Sequence, residues 1–198
     1  SVPRPGEVTL AQHGVLFLDE LPEFSRAALE VLPEPLVTGS VVLARASGTV
    51  RYPSSCTLVA SMAACPCGRF PDPRCRCSAA DRLRYRSRIP PRLYDLFDVR
   101  VSVPLIDLAV LENAPAGERS LAVADRVAAA RAFALQAATK SEMIDALFAR
   151  SVECGLLPSK DAQDRALRVA QTIAALAGDP TISSAHAAEA IELTRDPL

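Results

Sequence analysis

The sequence predicts an α/β region followed by an all-α region. Three observations carry that reading. The run Gly14-Val-Leu-Phe-Leu-Asp-Glu20 is short, continuously apolar and rich in residues that suit a buried strand of a parallel sheet. Further strand-like runs, separated by turn residues, recur as far as Pro104. Composition then changes near Pro115, and the remainder is alanine-rich with helical spacing. At 198 residues and 49% hydrophobic, the chain can build one large domain or two small ones. The expected division is an α/β part over 1–104, a linker over 105–117 and a helical part over 118–198.

In order along the chain, the strand ending at Leu18 is followed by Pro22 and Ser25, which open a helix carrying Ala28, Leu29 and Leu32. Pro33 and Pro35 are expected to stop it. Val41–Arg45 and Thr49–Tyr52 flank Ser47-Gly48 and read as a β-hairpin. Thr57–Ala60 reads as a second buried strand. A loop rich in cysteine and proline follows. Residues 79–97 read as helix in two pieces, broken at Pro90-Pro91, and the alternation of 98–104 reads as a strand ended by Pro104. The helical part holds candidates at Arg119–Ala138, Glu142–Arg150 and Ala162–Ala177, the last ended by Gly178-Asp-Pro180. Ser183 or Ser184 caps a final helix through Ile191.

Composition excludes several classes. No run approaches the ~20 apolar residues that span a bilayer, and no basic segment with an apolar stretch opens the chain. A cytoplasmic protein with no membrane partner is expected. A net charge of −1 gives no wholesale attraction to nucleic acid. Charge is unevenly placed, however. Residues 1–40 hold Arg4 and Arg26 against Glu7, Asp19, Glu20, Glu23, Glu30 and Glu34. Residues 69–100 hold Arg69, Arg74, Arg76, Arg82, Arg84, Arg86, Arg88, Arg92 and Arg100 against Asp72, Asp81, Asp95 and Asp98. An acidic front and a basic middle can attract each other within or between subunits.

Two groups of residues carry chemistry. Four apolar residues followed by Asp19-Glu20 form a Walker B pattern. At the carboxyl end of a parallel strand, Asp19 would hold Mg²⁺, directly or through water, and Glu20 would polarise an attacking water. The same pattern also suits a plain strand followed by an acidic turn. Cys65, Cys67, Cys75 and Cys77 form C-x-C-x₇-C-x-C. Four thiolates can surround Zn²⁺, although C-x-C is tighter than the usual C-x₂₋₄-C knuckle. A free-thiol loop and an opportunistic metal site remain open beside structural zinc. Cys56 and Cys154 read as ordinary buried thiols, and His13 and His186 receive no role.

Val8-Thr-Leu-Ala-Gln-His-Gly-Val-Leu-Phe-Leu-Asp-Glu-Leu-Pro-Glu-Phe24 resembles the magnesium-chelatase-like AAA+ ATPases of the ComM/YifB competence-protein group. The resemblance continues through Cys65-Pro-Cys-Gly68, Cys75-Arg-Cys77, Tyr85-Arg-Ser-Arg-Ile89, Arg126-Val-Ala-Ala-Ala-Arg131, Asp164-Arg-Ala-Leu-Arg-Val-Ala170 and His186-Ala-Ala-Glu-Ala190. It implies that the front is the second half of a P-loop AAA+ core, with the hairpin as an insertion in its parallel sheet. The back would then be the helical lid and C-terminal domain. It further implies ATP with Mg²⁺ as cofactor, a hexameric ring of like subunits, and DNA remodelling by branch migration in natural transformation. In such rings Arg45 and Arg51 of the hairpin would reach DNA phosphates.

Departures from the family pattern set a second expectation. The phosphate-binding G-x-x-x-x-G-K-[ST] does not occur in these residues, and neither Lys140 nor Lys160 follows a glycine. In the family that loop lies upstream, and the chain starts at Ser1, so a fragment or a shortened relative is expected. Ala63-Ala64 stands where the family has Asn-Pro, Leu96 where it has an arginine finger, and Asp161 where it has a sensor arginine. This chain alone is therefore expected not to hydrolyse ATP. The alternative is a degenerate, non-catalytic structural or interaction module.

Overall fold

The computed structural model describes residues 4–45, 48–104, 106, 108–134 and 159–195. The chain divides into two compact units, Ser1–Phe97 and Asp98–Leu198. The first is α/β and the second is helical, as the sequence predicts.

In the first unit a short helix α1 (Glu7–Leu10) leads into β1 (Val15–Leu18). β1 pairs in parallel with β4 (Thr57–Ala60), with Val15 opposite Thr57 and Leu18 opposite Ala60. Side chains alternate across a strand, so β1 divides its residues between two faces. Leu16 and Leu18 enter a core with Leu21, Leu29, Ile89 and Leu93. Val15 and Phe17 stay 59% and 58% exposed. The strand expected to be buried on both faces is therefore covered on one. Helices α2 (Arg26–Glu30) and α5 (Pro91–Tyr94) supply that cover, and among the described residues nothing covers the other face.

Ser25 caps α2 by accepting from the Ala28 N–H at 3.3 Å. α2 ends at Glu30, ahead of the expected stop at Pro33 and Pro35, but these prolines also open a helix that was not expected, α3 (Pro33–Thr38). Both prolines fall in its first turn, where backbone N–H groups have no intrahelical acceptor to lose. Gly39, at φ 68°, ends α3 and leads into β2 (Ser40–Arg45). β2 pairs antiparallel with β3 (Gly48–Pro53), forming the expected hairpin. Helix α4 (Ala79–Arg86) starts in a capping box. Ser78 Oγ accepts from the Asp81 N–H at 3.1 Å and the Asp81 carboxylate accepts from the Ser78 N–H at 3.0 Å.

The second unit corrects another expectation. Residues 98–104 form no strand. Alternation alone makes no strand without a partner backbone, and the Arg100 N–H instead donates to the Leu193 carbonyl at 2.8 Å. Val101 and Val103 stay 67% and 82% exposed. Helix α6 (Leu108–Asn113) lies within the stretch expected to be a plain linker, and α7 (Ser120–Ala134) follows. The helix expected over Glu142–Arg150, the end of that over Arg119–Ala138, and Cys154 lie outside the described residues. Helices α8 (Lys160–Ala177) and α9 (Ser184–Thr194) pack through Ala166, Ala170, Ala187 and Ala190, all fully buried. Such small side chains let helix backbones approach closely. His186 proves to be part of the Ser183 cap: its Nδ1 accepts from the Ser183 N–H at 3.2 Å. Among the described residues no helix is long and apolar enough to cross a membrane.

Candidate functional site

Parallel pairing brings the carboxyl ends of β1 and β4 side by side, the end at which open α/β sheets bind ligands. Asp19 and Glu20 follow β1 there, and both are exposed. Glu20 adopts a left-handed conformation, φ 54° and ψ 53°, which disfavours a non-glycine residue by about 1 kcal/mol. Ser61, the first residue after β4, holds that turn through four hydrogen bonds. Its N–H donates to the Leu18 carbonyl at 3.0 Å and its carbonyl accepts from the Leu21 N–H at 2.8 Å. Its hydroxyl accepts from the Glu20 N–H at 3.0 Å and donates to Asp19 Oδ1. The Ser61 clamp was not read from the sequence; its only signal is a hydroxyl placed directly after the second apolar run.

The helical side of this edge also engages it. Burial raises the Tyr85 hydroxyl above the ordinary tyrosine range, helped by the Glu23 and Glu20 carboxylates, while a hydrogen bond with the Ala63 backbone works against the rise. Glu23 pairs with Arg88 at 3.2 Å. The donor set of Asp19, Glu20 and Ser61 is all oxygen, which fits a magnesium ion that keeps several of its waters. Ala63 is half-buried and offers no polar side chain. Leu96 packs against the Leu29–Leu93 core. Arg92 is exposed. In the helical unit Asp161 is exposed in the first turn of α8, while Arg165 is 9% exposed and reaches Asp98 at 3.9 Å.

A second cluster forms in the loop between β4 and α4. The sulfurs of Cys65, Cys67, Cys75 and Cys77 all lie within 4.8 Å of one another. Cys65 is fully buried, whereas Cys67 is exposed. Burial resists ionisation of Cys65, but hydrogen bonds from the Phe70 N–H and from Cys67 outweigh it and lower the thiol to about 6. At Cys77 the Cys67 backbone favours the thiolate. The sulfurs of Cys67, Cys65 and Cys75, together with burial, overcome this and push the thiol up to about 12. Cys75 is raised too: the Cys77 backbone favours its thiolate, but burial and the sulfurs of Cys67 and Cys65 prevail. Without a cation the cluster accepts negative charge on Cys65 and resists it on Cys75 and Cys77.

In the hairpin, positions 45 and 51 differ in register. Arg51 is opposite Val42 in the ladder, and position 45 is three residues beyond Val42. The two positions therefore occupy opposite phases of the pleat. Arg51 is exposed.

The family model described as magnesium chelatase, subunit ChlI matches residues 1–111, more than half of the chain. The chain belongs to the magnesium chelatase family. Within it, the chain is 36% identical over 207 residues to the competence protein ComM of Haemophilus influenzae, covering 96% of this chain and 41% of ComM. It is 35% identical over 207 residues to the uncharacterized protein YifB of Escherichia coli, with the same coverage. It is 37% identical over 194 residues to an uncharacterized protein of Mycobacterium bovis, covering 88% of this chain and 38% of that protein. The chain thus spans about two-fifths of the length of the curated relatives it matches. For this magnesium chelatase family member the family match takes in the acidic edge, the hairpin and the cysteine loop.

Proposed function

We propose that this chain is the Walker B-bearing part of an ATP-binding AAA+ module, and that by itself it does not hydrolyse ATP. The observation that carries the reading is the acidic edge: Asp19 and Glu20 at the carboxyl mouth of the β1/β4 pair, clamped by Ser61. Asp19 and the Ser61 hydroxyl would hold the magnesium, and Glu20 would orient the attacking water as its general base. Bound magnesium would neutralise charge on the phosphates. Inactivity of the isolated chain follows from three polar losses, at Ala63, Leu96 and Asp161, and from the lack of a phosphate-binding lysine loop in these residues. An arginine finger alone is worth about 10³–10⁵ in rate.

On the family resemblance, the module would work in the cytoplasm as part of a ring of like subunits that remodels DNA. Arg45 and Arg51 would then contact phosphates. The same three losses favour a second reading, a non-catalytic structural or interaction module.

Two experiments test this. ATP hydrolysis by the 198-residue chain should stay at background. A rate abolished by Glu20→Gln would overturn the inactivity. Binding to duplex DNA should weaken with salt and weaken further in the Arg45→Ala/Arg51→Ala double variant. Salt-independent binding, or none, would count against the DNA role.

A further inference from the structure

We propose that Cys65, Cys67, Cys75 and Cys77 form a closed four-thiolate zinc centre that fixes the segment between β4 and α4. Four sulfurs at about 2.3 Å from one ion, at tetrahedral angles, lie about 3.8 Å apart. Here Cys65 and Cys67 are separated by 3.4 Å, Cys65 and Cys75 by 3.7 Å, and Cys67 and Cys75 by 3.6 Å. These three separations are close to the edge length of the required tetrahedron, and Cys77 Sγ lies within 4.8 Å of the other three sulfurs. Tight C-x-C spacing is no obstacle, because a turn after Pro66 brings the Gly68 N–H to the Cys65 carbonyl at 2.9 Å, and Gly68 takes φ 71° to close it.

Softness of the donors selects the ion. Thiolates favour zinc over magnesium, so this centre is chemically distinct from the acidic edge. Four protein ligands leave no open position, which makes the site structural rather than catalytic. The segment has reason to need it. Between Ser61 and Ser78 there is neither helix nor strand, and Cys65 is the only buried residue among them. An ion therefore does there what an apolar core does elsewhere.

Local charge fits the same assignment. Zinc with four thiolates carries two negative charges. Arg69, Arg74 and Arg76 line an open hollow of about 540 Å³ together with Cys67. Asp72 offsets part of this by pairing with Arg74 at 2.7 Å. Arg82 donates to the Cys77 carbonyl at 3.0 Å and lies over the Phe70 ring at 4.3 Å, which ties the loop to α4. The Phe70 N–H points at Cys65 Sγ from 3.4 Å, the kind of outer-shell donor that orients a ligating thiolate. On binding, Zn²⁺ replaces the remaining thiol protons, which pass to solvent, so metal uptake is coupled to proton release.

The test uses the 198-residue chain purified under reducing conditions in zinc-containing medium. After removal of loose metal with a weak chelator, about one zinc per chain should remain, and a mercurial reagent should release it stoichiometrically. Cys65→Ser and Cys75→Ser should each lose it, while Cys56→Ser retains it. Because a cysteine variant can fail by misfolding, the unsubstituted chain is also loaded with Co²⁺. It should show tetrahedral d–d bands and thiolate-to-cobalt charge transfer. A metal-free chain with four freely reactive loop thiols, iron in zinc's place, or an octahedral cobalt spectrum would overturn the proposal. None of these readouts involves nucleotide, so failure here leaves the acidic-edge reading standing.

Discussion

The β1/β4 pair and the α8/α9 pair solve the same packing problem to different extents. In α8 and α9 the alanine faces meet completely, with Ala166, Ala170, Ala187 and Ala190 at 0% exposure. In β1 and β4 one face is sealed by Leu16 and Leu18, and the other leaves Val15, Phe17 and Val59 42–59% exposed. The polar groups follow the same division. The helical pair uses its hydroxyls for structure, as Ser159 and Ser183 cap helices. The sheet pair uses Ser61 to hold the Asp19 carboxylate and, through the Glu20 N–H, the left-handed turn. Stability and chemical potential are thus placed in different parts of the chain. The half-covered sheet with acids at its mouth is the arrangement on which the proposed nucleotide reading rests.

Several substitutions would break or sharpen this contrast. The largest effect is expected from Leu93→Ala, since Leu93 is 0% exposed on the sealed face: a loss of about 2–5 kcal/mol by denaturant titration. Ala170→Leu overfills the helical pair and should destabilise by about 1–3 kcal/mol. A smaller penalty would mean that the α8/α9 seam can open. Ser61→Ala removes both hydroxyl bonds at the acidic turn and should destabilise by about 1–2 kcal/mol. Hydrogen exchange at the Glu20 amide should rise with it. Ser183→Ala should lose about 1 kcal/mol through its helix cap. Phe17→Ser, on the open face, should stay within about 0.5 kcal/mol and improve solubility. A loss well above that would mean that the face is covered in solution.

What could be read from the sequence depended on how local the determining interactions were. Asp19 and Glu20 were legible because strand and acids are contiguous, and the cysteines because their spacing is short. Ser61 was not, because its partners lie 41 and 42 positions away and only the parallel pairing brings them together. The 98–104 strand failed for the same reason: alternation specifies a face, not a partner. The Pro33–Thr38 helix was missed because prolines tolerated in a first turn look like terminators when their register is unknown. The open face of β1 was equally invisible, since apolar content does not say whether cover exists.

The most direct test of the central claim adds to the acidic edge the groups that the proposed reading requires. The chain is joined to the portion of Haemophilus influenzae ComM that lies outside their alignment, and Ala63→Asn, Leu96→Arg and Asp161→Arg are introduced. Steady-state ATP hydrolysis is then measured with and without Glu20→Gln. Magnesium-dependent turnover that falls at least about 10²-fold on the Glu20 change is the predicted result. Turnover that is indifferent to Glu20, or no turnover from a folded, ATP-binding chimaera, would contradict the assignment of Asp19 and Glu20 to nucleotide chemistry.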